Sequence, residues 1–343
     1  MPHNLFLEQA LATYLRSPFH FLEYRLRYYA DMLPISQRLR EAHLFRHPLL
    51  TSLLAQQRQT ALDRIAASTA EIIIVTATKN RAKSLRHAYA LLASQKACPD
   101  WLWLVVDNGS QDQTLPWLSS LQDSRVLVVS YLERTGCAFP VRNFGLDVLQ
   151  LGLRKNHRAN QWILILDSDD RLHDSSSLHE VAALRRAWVG RRLGYALLHG
   201  FAVCEYEDKQ GVSYGTHPHN IASSFPRIDA LVEVYDKGLN ILSGMFLVEA
   251  LGWLRYPEEF SFEDNGFNHK LLLRAKRNKQ TWLAIAYPIT VKRFHQETMA
   301  AHNDQLGDQT SHAKIGEHTV TGVRAHIVSS LHDLADYFQR ERL

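Results

Sequence analysis

Three carboxylates in four positions, Asp167-Ser168-Asp169-Asp170, follow directly on the apolar run Trp162-Ile-Leu-Ile-Leu166. A buried strand that runs into charge must release it at its C-terminal end, which is where open α/β sheets bind ligands. Carboxylates this close repel one another unless a cation lies among them. Mg2+ and Mn2+ take oxygen ligands and commonly bridge one or two carboxylates to a substrate's phosphates. A metal-diphosphate site at a strand end is one reading. Ordinary turn and N-cap chemistry is the other, because Asp and Ser suit both.

The elements that must position this turn are legible on either side of it. Ile72 to Val75 is a short β-branched run that reads as a buried strand, followed by a polar turn from Thr76 to Arg81 and a helix from Ala82 to about Ser94. Trp101 to Val106 predicts a second strand, ended by Asp107-Asn108-Gly109-Ser110, and Thr114 to Leu121 a helix. Arg125 to Val129 predicts a third strand, Pro140 to Leu153 a helix with proline in its first turn, and Trp162 to Leu166 a fourth strand. Strands alternating with helices predict a parallel, doubly wound sheet over about 71 to 170.

Outside that core the signals change. Residues 1 to 69 carry helical periodicity, divided into short helices by Pro18, Pro34 and Pro48, with a basic and aromatic character. Beyond Asp170 the pattern predicts a helix over about 175 to 190, a strand pair or long strand over 195 to 206, and a turn over 208 to 211. Residues 213 to 238 read as loop. A helix is expected from Glu263 to about Ala275 and a final one from about Val320 to Arg340. The expected organisation is a helical extension (1–69), an α/β domain (70–300) and a C-terminal loop and helix (301–343).

Composition narrows the function class. The chain has 343 residues, 46% hydrophobic and 22% charged, with a formal net charge of +4, as expected of a globular protein. No basic stripe points to nucleic acid. Cys98, Cys137 and Cys204 form no metal-ligand pattern or disulfide framework, which fits a reducing cytosol. Charges and aromatics break up Met1 to Ala30, so no signal peptide is read there, and no apolar run approaches the roughly eighteen residues of a membrane span. The expected location is the cytoplasm or the inner membrane face, where the N-terminal helices would dock on a membrane or a partner protein.

The order of motifs resembles a known family. Ile72 to Arg81, then Val105-Val-Asp-Asn-Gly-Ser110 with Asp112 and Thr114, is similar to the start of a GT-A glycosyltransferase of family 2. Gly136 with Val141-Arg142-Asn143 resembles that family's third element, Leu166 to Asp170 its DXD motif, and Phe262-Glu263-Asp264 its acceptor-side acidic pair. The resemblance covers roughly 70 to 300 and implies a GT-A-like, mostly parallel α/β sheet. It also implies an inverting glycosyltransferase that takes its sugar from a nucleoside-diphosphate sugar. The acceptor would be a hydroxyl of a saccharide, a lipid-linked saccharide or a protein.

The resemblance implies roles residue by residue. Thr76, Ala77 and Thr78 border the base, with Asn80 and Arg81 in the same nucleotide-sugar-binding segment. Asp107 accepts from base or ribose, beside Asn108, where the family often has a second Asp; Asn donates as well as accepts. Arg142 reaches diphosphate or base. Asp169 is the direct ligand of Mn2+ or Mg2+, and Asp167 contacts ribose or metal-bound water, with Ser168 between them. Asp170 orients the site from behind, and His295, in Lys292-Arg293-Phe294-His295, helps to hold metal or phosphate. Asp264 is the base that deprotonates the acceptor hydroxyl, supported by Glu263. Two other readings stay open. A nucleotidyltransferase would carry a glycine-rich phosphate loop after the first strand, and Thr76 to Arg81 has no glycine. A non-catalytic nucleotide-sugar-binding protein would keep the fold without turnover.

Overall fold

The computed structural model describes residues 48–96, 100–131, 138–153, 161–188, 198–208, 211–216, 232–234, 244–252, 254–256, 267, 282–294 and 323–328. In order these form α1 (Pro48–Ala67), β1 (Ile72–Thr78), α2 (Ala82–Ala93), β2 (Trp101–Asp107), α3 (Thr114–Ser120), β3 (Val126–Ser130), α4 (Phe139–Leu153) and β4 (Trp162–Ile165). Then follow β5 (Arg171–Leu172), α5 (Ser177–Trp188), β6 (Leu198–Asp208), β7 (Gly211–Thr216), β8 (Val232–Val234), β9 (Gly244–Leu247), a 3-10 turn (Val248–Gly252), β10 (Trp282–Phe294) and β11 (Val323–Val328). The α/β class and the strand-helix alternation expected before Asp170 are borne out.

The chain divides into two compact units. One gathers α1 with residues 76–86 and 103–157, the other residues 69–75, 87–102 and the described residues from 161 onward.

In the first unit β2 and β3 pair in parallel, Trp103 beside Val126 through Asp107 beside Ser130. Helix α1 packs against α4 and β3. Gln57 accepts the Ser130 N–H at 3.1 Å, and the Arg58 guanidinium lies 5.4 Å from the centre of the Phe144 ring. The axes approach closely at Gly152, where a Cβ would stand 2.6 Å from Ile65 Cγ2 and 3.3 Å from the Leu62 carbonyl oxygen. The expected short helices of the N-terminal segment are, over these residues, one helix of 20 residues that begins at Pro48. Proline suits a first turn, where its missing N–H is not needed.

In the second unit the order is β1-β4-β9-β6-β10-β11-β8, with β5 on β10 and β7 on β6. Pairing is mixed. β1 with β4, β6 with β10 and β10 with β11 run parallel; β9 lies antiparallel between β4 and β6. Ile72, Ile73, Ile74, Val75, Ile163 and Leu164 are fully buried, and each such aliphatic side chain contributes about 1.5–3 kcal/mol of burial. Gln95 fastens the end of α2 to the start of α5. Its amide nitrogen donates to the Asp174 carbonyl at 2.6 Å, and its oxygen accepts the Leu178 N–H at 2.8 Å.

Three expectations need correction. Thr76 to Thr78 finish β1 rather than open a turn. Threonine is β-branched, and the Thr76 hydroxyl, buried, accepts the Trp103 indole N–H at 2.9 Å, so the strand outlasts its apolar run. The 213–238 stretch is not loop throughout: β7 pairs antiparallel with β6, Asp208 beside Gly211, and Val232–Val234 pairs with β11. The final helix is contradicted at Val323–Val328, a strand lying parallel to β10 from Trp282 to Ile285. Long-range pairing overrides local helical spacing there. The helix expected after Glu263 lies outside the described residues, apart from Phe267, which is helical.

Gly152→Ala should destabilise the protein by about 1–3 kcal/mol, the usual cost of overpacking, although alanine favours helix. A urea melt measures this, and because the two side chains touch, buried Ile65 should cost less to truncate to alanine in the Gly152→Ala background than in the wild type.

Candidate functional site

The sequence-predicted residues fall into two groups, one in each unit. In the first unit, β1 and β2 end side by side, with the Asn108 N–H donating to the Thr78 carbonyl at 2.8 Å. Thr76, Thr78, Asp107 and Asn108 are buried, Ala77 and Arg81 half-buried, and Asn80 exposed. The segment after β1 is tied to the segment after β2 by side chain-backbone hydrogen bonds. Asn80 adopts a left-handed backbone with φ of 54°, which asparagine tolerates better than most residues. Its N–H donates to the Ser110 hydroxyl at 2.8 Å, and its side-chain oxygen accepts the Gln111 N–H at 2.6 Å. The Arg81 N–H donates to the Thr114 hydroxyl at 2.9 Å.

Asp112 closes the arrangement. One oxygen accepts the N–H of Ala82, the first residue of α2, at 3.2 Å, and the other accepts that of Thr114 at 2.9 Å. It satisfies an otherwise orphaned helix donor from 30 residues away. Asp107, fully buried, accepts the Ser110 N–H at 3.0 Å, while Gly109 takes φ of 70° to make that tight turn. Arg142 lies in the first turn of α4 and is buried. The Thr78 hydroxyl, buried, has no hydrogen-bond partner among the described residues.

In the second unit the acidic turn leaves β4 as expected. The Leu166 N–H still donates to the Val75 carbonyl at 3.0 Å, and the Asp170 N–H closes the turn on the Asp167 carbonyl at 3.0 Å. Asp167, Ser168 and Asp169 are half-buried; Asp170 is buried. Past the turn, β5 pairs antiparallel with β10, Arg171 beside Val291 and Leu172 beside Thr290, and the His173 N–H donates to the Ile289 carbonyl at 2.8 Å. That pairing brings the Arg293 N–H to Asp170 Oδ1 at 3.0 Å. Burial, then the charges of Asp169 and Asp167, hold the Asp170 carboxyl well above its ordinary range, against the opposing pull of Lys292 and the Arg293 N–H.

Behind the turn lies a charge network that sequence reasoning missed. Glu205, on β6 beside Arg293 of β10, accepts Arg293 Nε at 2.8 Å and Arg171 Nη2 at 2.9 Å. Burial pushes the Glu205 carboxyl up, but the hydrogen bonds and charges of the two arginines outweigh it and leave it below the ordinary value of 4.5. Arg171 was adjacent to the recognised motif and Arg293 lay in a noted basic segment, but nothing local marks Glu205.

Among the described residues no group of three or more His, Cys, Asp or Glu side chains is gathered to hold a metal ion. The donor set still fits a hard dication of the kind that takes one or two carboxylates and completes its shell with substrate phosphates and water. Glu263, Asp264, His295 and Gly136 lie outside the described residues. No helix among the described residues is long and apolar enough to cross a membrane.

Residues 73–189, which include both β-strand ends and the acidic turn, match the model of the family described as glycosyl transferase family 2. The family resemblance holds over this segment. Among solved structures, the chain is similar to S. aureus TarS 1-349 in complex with UDP-GlcNAc, at 18% identity and a TM-score of 0.47, over 67% of this chain and 60% of that one. It is also similar to the mannosyltransferase PcManGT from Pyrobaculum calidifontis in complex with GDP-Man and Mn2+, at 14% identity and a TM-score of 0.46, over 78% and 72%. A further structure of S. aureus TarS 1-349 aligns at 20% identity and a TM-score of 0.41, over 58% of this chain and 54% of that one. The chain thus spans less than two thirds of the two TarS structures given. No curated protein matches.

Two outcomes follow. Asp112→Ala strips a cap from α2 and should lower unfolding free energy by about 1–2 kcal/mol, seen as a shifted urea midpoint. Glu205 has a depressed folded-state pKa, so its contribution is present above 4.5 and is lost as pH falls through the folded value. Stability of the wild type should therefore fall more steeply below that pH than stability of Glu205→Gln, when both are followed by urea melts across an acid series.

Proposed function

We propose that the protein is a metal-dependent inverting glycosyltransferase that moves a sugar from a nucleoside-diphosphate sugar to a hydroxyl of a saccharide, lipid-linked or protein acceptor. The observation that carries this reading is the acidic turn at the end of the buried strand β4, inside the segment that matches glycosyl transferase family 2. In this reading Asp107 and Asn108 accept and donate to base and ribose, with Thr76, Ala77 and Thr78 alongside. Asn80, whose backbone N–H and side-chain oxygen engage Ser110 and Gln111, belongs to the same nucleotide-sugar-binding segment. Arg81 and Arg142 supply cationic contact to the diphosphate.

Asp169 and Asp167, with His295, hold Mn2+ or Mg2+, and Ser168 lies between them against the donor. When bound, the metal supplies Lewis-acid stabilisation of charge on the departing diphosphate. Asp264 takes the proton from the acceptor hydroxyl as that oxygen bonds to the anomeric carbon, on the face opposite the leaving nucleoside diphosphate. Glu263 orients the acceptor. The basic, aromatic N-terminal segment is proposed to dock the enzyme on an inner membrane face or a partner protein.

The test screens UDP-, GDP-, CMP- and dTDP-sugars for thermal stabilisation that depends on Mn2+, followed by hydrolysis and transfer assays. One donor should stabilise the wild type only with metal. Asp169→Ala should lose that effect, and Asp264→Asn should keep donor binding while losing turnover by about a hundredfold or more, the usual worth of a general base. No stabilisation and no turnover with any donor would overturn the proposal. Binding that is insensitive to both substitutions would favour a non-catalytic module.

A further inference from the structure

β3 pairs with β2 on one side, and no strand among the described residues lies on its other side. Just past its end the Tyr131 N–H turns to β2 and donates to the Asp107 carbonyl at 2.8 Å. Ser130, one residue earlier, is buried, and its N–H has no strand to bond with. A backbone donor withdrawn from water needs an acceptor. Helix α1 supplies it, through the side-chain oxygen of Gln57 at 3.1 Å. The next residue of α1 touches the same strand end by another route. The Arg58 guanidinium lies over the Phe144 ring, and that ring is 5.3 Å from the ring of Tyr131. Arg64, further along α1, donates to the Ser124 carbonyl before the other end of β3.

We infer that Gln57 is a positioning residue for the nucleotide, acting through Ser130 and Tyr131 on Asp107. The inference rests on the reading that sets Asp107 against base or ribose. Asp107 stands beside Ser130 in the register of β2 and β3, and its carboxylate is aimed by the backbone that carries it. Two hydrogen bonds hold that backbone: the Asp107 carbonyl accepts from Tyr131, and the Asn108 N–H donates to the Thr78 carbonyl at 2.8 Å. Gln57 secures the first of them from behind. Without its oxygen the Ser130 N–H must find water, which requires the end of β3 to lift from α1, and the Tyr131 N–H moves with it. Gln57 precedes the segment that matches the glycosyl transferase family. The donor site thus draws on α1 as well as on that segment.

Binding of UDP, GDP, CDP and dTDP to the full chain, each with excess Mn2+, is measured by isothermal titration calorimetry. A thermal melt shows that each variant is folded at the titration temperature. At least one nucleotide should bind the wild type, and Gln57→Ala should weaken it about fivefold, the scale on which residues that do not touch a ligand act on its site. Gln57→Glu keeps an acceptor on a side chain of the same length and should stay within about twofold of the wild type. Arg64→Ala removes the hydrogen bond at the other end of β3 and should also stay within about twofold, whereas a general loosening of α1 weakens both alike. If Gln57→Ala fails to fold, Gln57→Met, which keeps the length without the acceptor, replaces it with the same loss expected. Wild-type affinity in the folded variant that lacks the acceptor, an equal loss in Gln57→Glu, or an equal loss in Arg64→Ala overturns the inference alone. A wild type that binds none of the four overturns the nucleotide reading of Asp107 and the inference with it.

Discussion

A carboxylate withdrawn from water must be met by donors or give up its charge, and Asp170 is such a group. It follows a strand whose paired residues on both sides are apolar, and the second unit supplies what it needs from far along the chain. The Arg293 N–H reaches it across 123 positions of sequence. That donor arrives only because β5, two residues long, lies on β10 in one register. A slip of one residue would turn every side chain of β5 to the other face and withdraw the Arg293 N–H. The acidic turn is thus shaped from both sides, by β4 before it and by β10 after it.

Charges so placed are seldom a source of net stability. Burying Glu205 and Arg293 together incurs desolvation that their attraction only roughly offsets, and apolar residues of similar volume often do as well. The arrangement makes more sense as control over where guanidinium and carboxylate groups point. In the first unit the same end is reached with side chains that accept from the backbone. Asn80, Ser110, Asp112 and Thr114 bind backbone N–H groups across the two strand ends. A segment held this way is preorganised and loses little further freedom when a ligand arrives.

The parts of the fold readable in the sequence are those where burial is complete and contact is local. β1, β2, β3 and β4 announce themselves as β-branched and aromatic runs because both faces are covered, and α2 and α4 follow from spacing and from Pro140. What escaped depended on distant partners. Val323–Val328 carries helical spacing yet becomes a strand, because β10 offers an edge. β8 is three residues long and has meaning only beside β11. In the site, the acidic turn was legible from its composition, as were Asp107 and the Asn108-Gly109 turn. Glu205 was not, since its partners lie 34 and 88 positions away and an isolated glutamate in a strand gives no local sign of them.

The close approach of α1 and α4 has a consequence of its own. Gln57 grips the backbone of β3 and Ile65 fills the space left bare by Gly152, so α1 is held at two points eight residues apart. On a helix each residue turns the chain by about 100° and advances it 1.5 Å. The stretch between those points therefore works as a ruler: adding or removing one residue there would aim one anchor away from its seat whenever the other was home. Substitutions along that interval can be tolerated, but its length cannot drift.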